Sequence, residues 1–176
     1  MKAKFAKESY TEMNELVLPN DTNTFGNLMG GRLLYWMDIC SAMAAQKHCN
    51  NVVVTASVDN VSFNRPVKLG EVVTIKAQVT RAFNTSLEVR LEVFAQNLPK
   101  GTKDKSNEAY YTFVALDEEG KPKAIPALVA ESEQEIKLYD EAMERRELRL
   151  ILAGKIKPQH ATGIKKLLKR LEQKGD

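Results

Sequence analysis

The sequence predicts an α+β domain in which an antiparallel sheet wraps around one long apolar helix. Three observations carry this prediction. An almost uncharged helical stretch lies in the first third of the chain, four segments rich in β-branched and aromatic residues follow it, and turn residues separate those segments. With the strand expected before the helix, the sheet has five to six strands. The domain covers residues 1–130, and a helical extension covers residues 131–176.

The central helix is expected over Met29–Cys49. Ten of the thirteen residues from Leu33 to Ala45 are apolar. A helix this apolar on every side should lie in the core. Asp38 is its lone carboxylate, with no basic residue one turn away. Burying an unpaired carboxylate costs several kcal/mol, so Asp38 should be hydrogen-bonded or used in chemistry. The alternative is a structural aspartate or one on a narrow solvent strip.

The strands are placed by alternation of apolar and polar residues and by the turns between them. They are expected at Ser9–Leu18, Val52–Phe63, Glu71–Ala82, Ser86–Asn97 and Asn107–Leu116. In the third of these, Val73, Ile75, Ala77 and Val79 should face the core. One helix cannot cover a sheet of this size, so dimerisation through the sheet edges is expected.

Two amphipathic helices are expected after Pro126. The first covers Glu131–Leu150. The second starts near Ala161 and has apolar Ile164, Leu167, Leu168 and Leu171 opposite basic Lys165, Lys166, Lys169 and Arg170. Docking on the domain or on a neighbouring subunit is the expected role of this basic helix. Binding to an anionic membrane surface is the alternative.

The charge distribution argues against a nucleic-acid partner. The net charge of the 176 residues is +3, but residues 155–176 hold seven basic and two acidic residues, so the rest of the chain is slightly acidic. The amino terminus has no apolar run, so no signal peptide is expected. Charged residues inside the central helix argue against a membrane span. Cys40 and Cys49 lie about 13 Å apart along one helix, too far to pair, and this favours a reducing cytoplasm.

Most familiar catalytic constellations are missing from the sequence. His48 and His160 have no ligand-spaced partners, so no metal site is expected. Cysteines in an apolar helix are usually inert. The glycines near residue 30 do not belong to a parallel β-α-β pattern, so they predict no phosphate-binding loop.

Asn23, the Gly30-Gly31 helix start and Asp38 remain as candidates for chemistry. Free backbone N–H groups at a helix start can polarise a carbonyl and hold an oxyanion. A carboxylate two turns deeper can activate water or attack the carbonyl carbon itself. Asn23 offers an amide donor and acceptor to orient that water. The alternatives are that Asn23 is a turn residue and that the glycines make a tight helix entry.

At these residues the sequence resembles the acyl-CoA thioesterases of the hotdog fold. The matching segments are LPNDTNTFGNLMGGRLLYWMD, VTASVDNVSFNRPVKLGEVVTIKAQVTRAFNTSLEV and YYTFVALDEEGKP, which fall within residues 9–126. The resemblance implies a long helix inside an antiparallel sheet, and hydrolysis of fatty acyl-CoA to free fatty acid and coenzyme A.

The resemblance also implies roles for individual residues. Asp38 matches the family's catalytic aspartate and Asn23 its asparagine, which come from opposite subunits of a homodimer, the minimal active unit. Such dimers commonly assemble further, and a hexamer (a trimer of dimers) is expected. Gly31 would hold the oxyanion. Coenzyme A, which is part of the substrate rather than a cofactor, would contact Ala56, Ser57, Val58, Thr85, Ser86, Leu87, Arg145 and Arg146. For the two arginines, a solvated helix face is the alternative.

Two rival functions use the same residues. A hotdog hydratase or dehydratase needs a histidine acid or base, and His48 lies at the far end of the helix. A non-catalytic acyl-CoA-binding or sensing module would use Asp38 only structurally. Release of free coenzyme A from acyl-CoA distinguishes the thioesterase from the binding module.

Overall fold

A computed structural model describes residues 1–59, 61–63 and 65–172 of the chain. The chain divides into two compact units, Met1–Val129 and Ala130–Asp176.

Unit 1 is an α+β structure with one long helix. Its elements are β1 (Lys4–Phe5), β2 (Thr11–Leu16), α1 (Gly30–Cys49), β3 (Val52–Val58), β4 (Val72–Ala82), β5 (Ser86–Asn97), β6 (Thr102–Leu116) and β7 (Leu128–Val129). Five strands form an antiparallel sheet in the order β2-β4-β5-β6-β3. The short β1 and β7 pair in parallel. The predicted helix-and-sheet fold with five to six strands is confirmed.

The core lies between one face of the sheet and α1. An alternating set of apolar residues from the three central strands is buried there. These residues are Val73, Ile75, Ala77 and Val79 of β4, Leu87, Val89, Leu91, Val93 and Ala95 of β5, and Ala109, Tyr111, Phe113 and Ala115 of β6. The face predicted for β4 is therefore correct. Burial of this apolar area, at roughly 25 cal/mol per Å², is the main force that holds α1 against the sheet.

Within the single chain, α1 is buried on one side only. Leu33, Met37 and Cys40 face the sheet and are buried, whereas Tyr35 is 56% exposed and Met43 is 38% exposed on the other side. The prediction of burial all round is thus wrong for one protomer, because five strands cover only one side of the helix. An apolar helix face is left open on each chain.

β3 is an edge strand whose pairing contains a bulge. Among the described strands it pairs with β6 alone, and the register shifts between Thr55 and Ser57, so Ala56 forms the bulge. The strand was expected to run to Phe63 but ends at Val58, and Asn60 of that predicted segment is outside the described residues. Val52, Val54 and Val58 are all exposed, so this sheet edge is apolar as well as open.

Unit 2 consists of α2 (Glu133–Leu152) and α3 (Thr162–Glu172). Ser132 caps α2 through its hydroxyl, which accepts from the Glu135 N–H. The carboxylate of Glu147 accepts hydrogen bonds from the N–H groups of Gly163 and Ile164, at 2.7 and 3.0 Å, and so holds the start of α3 against α2. The side chains of Lys169, Arg170 and Leu171, which belong to the predicted amphipathic pattern, lie outside the described residues. None of the described helices has the length and apolar character needed to cross a membrane.

His48 is fully buried in the last turn of α1. Its Nε2 lies 2.9 Å from the Pro126 carbonyl oxygen, which selects the tautomer with the proton on Nε2. Burial lowers the pKa of His48 from its usual 6.5 by disfavouring the charged ring, although the Pro126 carbonyl partly opposes this.

We expect this histidine to make the fold sensitive to acid. Above pH 6.5 both states hold a neutral ring; below it the unfolded chain takes up a proton that the folded chain resists. The free energy of unfolding should therefore fall by up to about 1.4 kcal/mol per pH unit between 6.5 and the lowered pKa of the folded state. Urea unfolding of the wild type and of His48→Gln at pH 7.5 and 5.5 measures this contribution. Equal losses of stability in the two proteins would contradict it.

Candidate active site

The Asp38 carboxylate lies on the partly open side of α1, and a threonine of β3 holds it. The Thr55 hydroxyl donates to Asp38 Oδ1 at 2.7 Å. Asp38 is neither fully buried nor fully exposed, so a substrate can reach a carboxylate whose orientation is already fixed. Helix α1 and edge strand β3 thus meet at this hydrogen bond.

Thr55 was not among the residues predicted from the sequence. It directly precedes Ala56 in the segment that was predicted to bind coenzyme A, and a threonine there carries no motif of its own. The charge of Asp38 also acts on Tyr111, a core residue of β6. Burial, and next the negative charge of Asp38, raise the pKa of Tyr111 to about 12, so its ring stays neutral over the physiological range.

The start of α1 leaves its backbone accessible. A side chain at Gly31 would meet no atom within 4 Å, whereas one at Gly30 would come within 3.3 Å of the Phe63 ring. In the part of the chain that the structure describes, no acceptor is found for the N–H groups of Gly30 and Gly31. A pocket of about 410 Å³ next to them is lined by Met29, Gly31, Arg32 and Tyr35. These N–H groups are therefore available to an oxygen of a ligand.

Asn23 lies at the exposed tip of the loop that leads into α1. Its Oδ1 accepts from the backbone N–H of Phe25 at 2.9 Å and of Asn27 at 3.2 Å. The expectation that both ends of the amide orient a water is therefore not met, because the oxygen is engaged by the backbone and only Nδ2 is left. Within the described part of one chain, no hydrogen bond joins Asn23 to Asp38.

An ion pair anchors this loop to the helix. Arg32 Nε lies 2.8 Å from Asp21 Oδ1, and the second oxygen of Asp21 accepts from the Leu18 N–H. The Asp21 carbonyl oxygen also accepts from the N–H of Met29. The position of Asn23 is thus fixed relative to the start of α1.

The two segments predicted to bind coenzyme A flank β6 at the same level. Phe113 of β6 pairs with Thr55 of β3 on one side and with Leu87 of β5 on the other. Neighbouring strands lie about 4.8 Å apart, so Ala56–Val58 and Thr85–Leu87 lie about two strand spacings apart. The Thr85 carbonyl oxygen accepts from the Ala115 N–H at 2.9 Å, which ties the β4–β5 turn to β6.

These residues differ in what they can offer a ligand. The bulge frees the backbone of Ala56 from the ladder with β6. Ser57, Thr85 and Ser86 are partly exposed and carry hydroxyl groups. Leu87 is fully buried and pairs with Ala82 and Phe113, so it supports the surface from below rather than forming it.

Arg145 and Arg146 belong to α2 in unit 2. Arg145 donates to the Leu138 carbonyl oxygen at 3.1 Å and lies 3.7 Å from a carboxylate oxygen of Glu141. Both arginines are partly exposed.

Three other side chains that could carry chemistry, those of His48, Cys40 and Cys49, are buried in the core. His48 is engaged with Pro126, and burial raises the pKa of both Cys40 (to about 11) and Cys49, which keeps the thiols protonated. Among the described residues, no group of three His, Cys, Asp or Glu side chains could hold a metal ion.

Comparisons with known proteins agree with this arrangement. Residues 25–102 match the model of the thioesterase superfamily. The chain is 37% identical over 142 residues to the uncharacterized acyl-CoA thioester hydrolase YkhA of Bacillus subtilis. The aligned segment covers 81% of this chain and 83% of that protein. The chain belongs to the acyl-CoA thioester hydrolase family. The predictions of a hotdog fold and of a thioester hydrolase are confirmed.

Solved structures of this family superpose closely on the chain. An apo-hexameric acyl-CoA thioesterase is 38% identical, with a TM-score of 0.84 over 87% of this chain and 98% of that one. An acyl-CoA hydrolase from Staphylococcus aureus, in complex with butyryl coenzyme A, coenzyme A and coenzyme A disulfide, is 37% identical, with a TM-score of 0.79 over 86% and 94%. The chain also matches the cytosolic acyl coenzyme A thioester hydrolase of Mus musculus, at 34% identity over 78% of this chain, but spans only 36% of that protein's length.

We expect Thr55→Val to impair hydrolysis without unfolding the protein. The substitution keeps the shape of the side chain but removes the hydroxyl that holds Asp38. A hydrogen bond to a charged group contributes about 1.5–3 kcal/mol, so kcat should fall about 10- to 100-fold. Thr102→Val, at the exposed start of β6, is the matched control and should retain wild-type kcat. A Thr55→Val enzyme with unchanged kcat would show that this hydrogen bond is not needed.

Proposed function

We propose that this protein hydrolyses fatty acyl-CoA to free fatty acid and coenzyme A, with Asp38 as general base or nucleophile. The observation that carries the proposal is the Asp38 carboxylate, oriented by Thr55 at 2.7 Å on the accessible side of α1, two turns from the exposed Gly31 N–H. Membership of the acyl-CoA thioester hydrolase family supports the substrate class. Coenzyme A enters as part of the substrate, and the reaction uses no separate cofactor or metal.

In the general-base form of this mechanism, Asp38 takes a proton from a water as that water attacks the thioester carbon. The developing oxyanion accepts a hydrogen bond from the Gly31 N–H, where the positive end of the helix dipole favours negative charge. The intermediate collapses with cleavage of the carbon–sulfur bond. The thiolate of coenzyme A leaves and takes the proton back from Asp38, so the carboxylate is regenerated.

The helix geometry suits these roles. Asp38 lies seven positions after Gly31, a rise of about 10 Å along the helix. Helical side chains lean toward the amino terminus, and this shortens the distance from the Gly31 N–H to the Asp38 carboxylate. A hydrogen bond from the Gly31 N–H to the carbonyl oxygen, the carbonyl group itself and a hydrogen bond from the attacking water to Asp38 together span most of the remaining distance. If Asp38 acts instead as nucleophile, the carbon–sulfur bond breaks with formation of an acyl anhydride on Asp38, which water then hydrolyses.

Coenzyme A binding is assigned to the two segments that flank β6 and to α2. Ala56, Ser57 and Val58 on the bulged edge and Thr85 and Ser86 at the β4–β5 turn would meet pantetheine and nucleotide through backbone and hydroxyl groups, with Leu87 beneath them. Arg145 and Arg146 would contact the phosphates, because a guanidinium presents its donors in a fork that matches phosphate oxygens.

We further propose that the enzyme is a cytoplasmic homo-oligomer whose minimal active unit is a dimer, assembled as a hexamer. The open apolar side of α1 and the free apolar edge of β3 support dimerisation, and the hexameric relative supports the larger assembly. Asn23 would reach the site of the facing subunit and donate from Nδ2 to the attacking water. Two unpaired cysteines and a relative described as cytosolic support the location.

This two-subunit site predicts a specific pattern of complementation. Asp38→Asn and Asn23→Ala should each lower kcat strongly, Asp38→Asn by about 100- to 10,000-fold. When the two variants are co-expressed with different tags and mixed oligomers are purified, a site is intact only where a wild-type Asp38 faces a wild-type Asn23. In a mixed hexamer about half of the three isologous dimers are mixed, and one of the two sites in each mixed dimer is intact, so about a quarter of wild-type activity should return.

The controls separate the possible failures. Each variant purified alone must remain inactive and keep the wild-type mass in solution. If the mixed oligomers stay inactive, Asn23 and Asp38 act within one chain. If Asp38→Asn retains near-normal turnover, the role assigned to Asp38 is wrong and a non-catalytic module becomes the better description.

The arginines of α2 should affect binding rather than chemistry. We expect Arg146→Ala and Arg145→Ala each to raise KM for acyl-CoA several-fold with little change in kcat, because a lost phosphate contact weakens ground state and transition state alike. Acyl-N-acetylcysteamine, a thioester without the nucleotide, should show no change in KM. Lys137→Ala, an exposed basic residue on the same helix, is the control. An unchanged KM for acyl-CoA would place both arginines on a solvated helix face.

A further inference from the structure

The tip of the loop before α1 carries a phenylalanine that the fold of one chain does not use. Phe25 is 86% exposed, more than any other large apolar side chain in the part of the chain that the structure describes. Single exposed apolar side chains are common on protein surfaces, so the exposure of Phe25 becomes informative through the loop that holds it and through its neighbour Asn23.

The tip is rigid rather than frayed. The Asn23 N–H donates to the Asn27 carbonyl oxygen at 2.8 Å, and the Gly26 N–H donates to the Asn23 carbonyl oxygen at 2.9 Å, with Gly26 at a φ of +70°. The base of the loop is held by the Leu28 N–H on the Val67 carbonyl oxygen and by the Asp21–Arg32 ion pair. A side chain on such a frame is presented in a defined direction, so little conformational entropy is lost when it is buried.

A hydrogen bond ties Phe25 to Asn23. The backbone N–H of Phe25 donates to Asn23 Oδ1 at 2.9 Å, so the orientation of the Asn23 amide depends on where Phe25 sits. Two residues along an extended chain span at most about 7 Å. A surface that receives the Asn23 amide therefore lies within reach of the Phe25 side chain.

We propose that Phe25 of each subunit forms part of the acyl-chain wall of the site in the facing subunit. This inference rests on the proposed function, in which Asn23 enters that site. The Phe25 ring is thus covered by a second copy of this chain and by the substrate. The face that receives it is the open side of α1 and the neighbouring edge of β3, where Tyr35 and Met43 of the helix and Val58 of the strand are exposed.

Polarity decides which half of the substrate the ring contacts. From the thioester carbon, the pantetheine arm runs one way with its amide groups, and the acyl chain runs the other way with only methylene groups. An aromatic ring gains by covering methylene groups and would leave amide groups without hydrogen-bond partners. Phe25 is therefore a specificity-determining residue, which favours acyl chains long enough to reach the ring.

Chain-length profiles test the proposal. In Phe25→Ala, kcat/KM for octanoyl-CoA should fall about tenfold, as expected for loss of one good apolar contact, whereas kcat/KM for acetyl-CoA should change less than twofold. Phe25→Leu, which keeps an apolar side chain, should retain most of the activity on octanoyl-CoA. Leu98→Ala, which truncates another exposed apolar residue at the β5–β6 turn, should leave both values unchanged. Light scattering under assay conditions should give wild-type mass for all variants.

The outcomes are distinguishable. Equal losses on acetyl-CoA and octanoyl-CoA, or no loss on either, would overturn the proposal. Dissociation of Phe25→Ala with loss of activity on every chain length would overturn it as well, because Phe25 would then be an interface anchor alone. A wild-type enzyme that releases no coenzyme A from any acyl-CoA would instead refute the proposed function on which this inference rests.

Discussion

The hydrogen bond from Thr55 to Asp38 requires that helix α1 and edge strand β3 lie at one fixed separation. The helix is held by its apolar side, which packs on the central strands of the sheet. The strand pairs with β6, and this ladder contains a bulge at Ala56. A bulge turns the residues on either side of it, so Thr55 can face the helix while Ser57 takes up the pairing again. The orientation of the carboxylate therefore depends on sheet register as much as on the helix that carries it.

The same arrangement explains why one chain leaves so much apolar surface open. A five-stranded sheet covers one side of a twenty-residue helix, and the side that carries Asp38 stays partly exposed together with Tyr35 and Met43. In the proposed dimer, closing this face would exclude water from the carboxylate and from the Gly31 N–H. Electrostatic interactions strengthen as the local dielectric constant falls, so assembly and catalysis would depend on the same contact. In that dimer, the loop that carries Asn23 and Phe25 would act as a rigid arm that enters the facing subunit.

Much of the fold could be predicted because local signals and tertiary packing agree. The alternation in β4 predicted which residues are buried, and the turn residues between the strand segments predicted the hairpins that flank β5. Helix α2 begins at a Ser132–Glu135 capping box, within two residues of the predicted start. The predicted strand ends were wrong where strand pairing, rather than residue propensity, decides them. β6 begins at Thr102 because it pairs with β5 as far as Asn97, although charged residues follow Thr102. The prediction that α1 is buried on all sides was wrong because composition shows how apolar a helix is, not how many of its sides are covered by its own chain.

The sequence by itself determined the layout of helix and strands, the lone carboxylate in α1 and the glycine start of that helix, because each depends on residues close together in the chain. Only the tertiary structure decided that Thr55 orients Asp38, that the Asn23 oxygen is engaged by its own loop and that Leu87 lies beneath the surface rather than on it. It also brought the segments around Ala56 and Thr85 to one level of the sheet. Those relations join residues far apart in sequence through strand register, and register follows from the packing of the whole sheet against the helix.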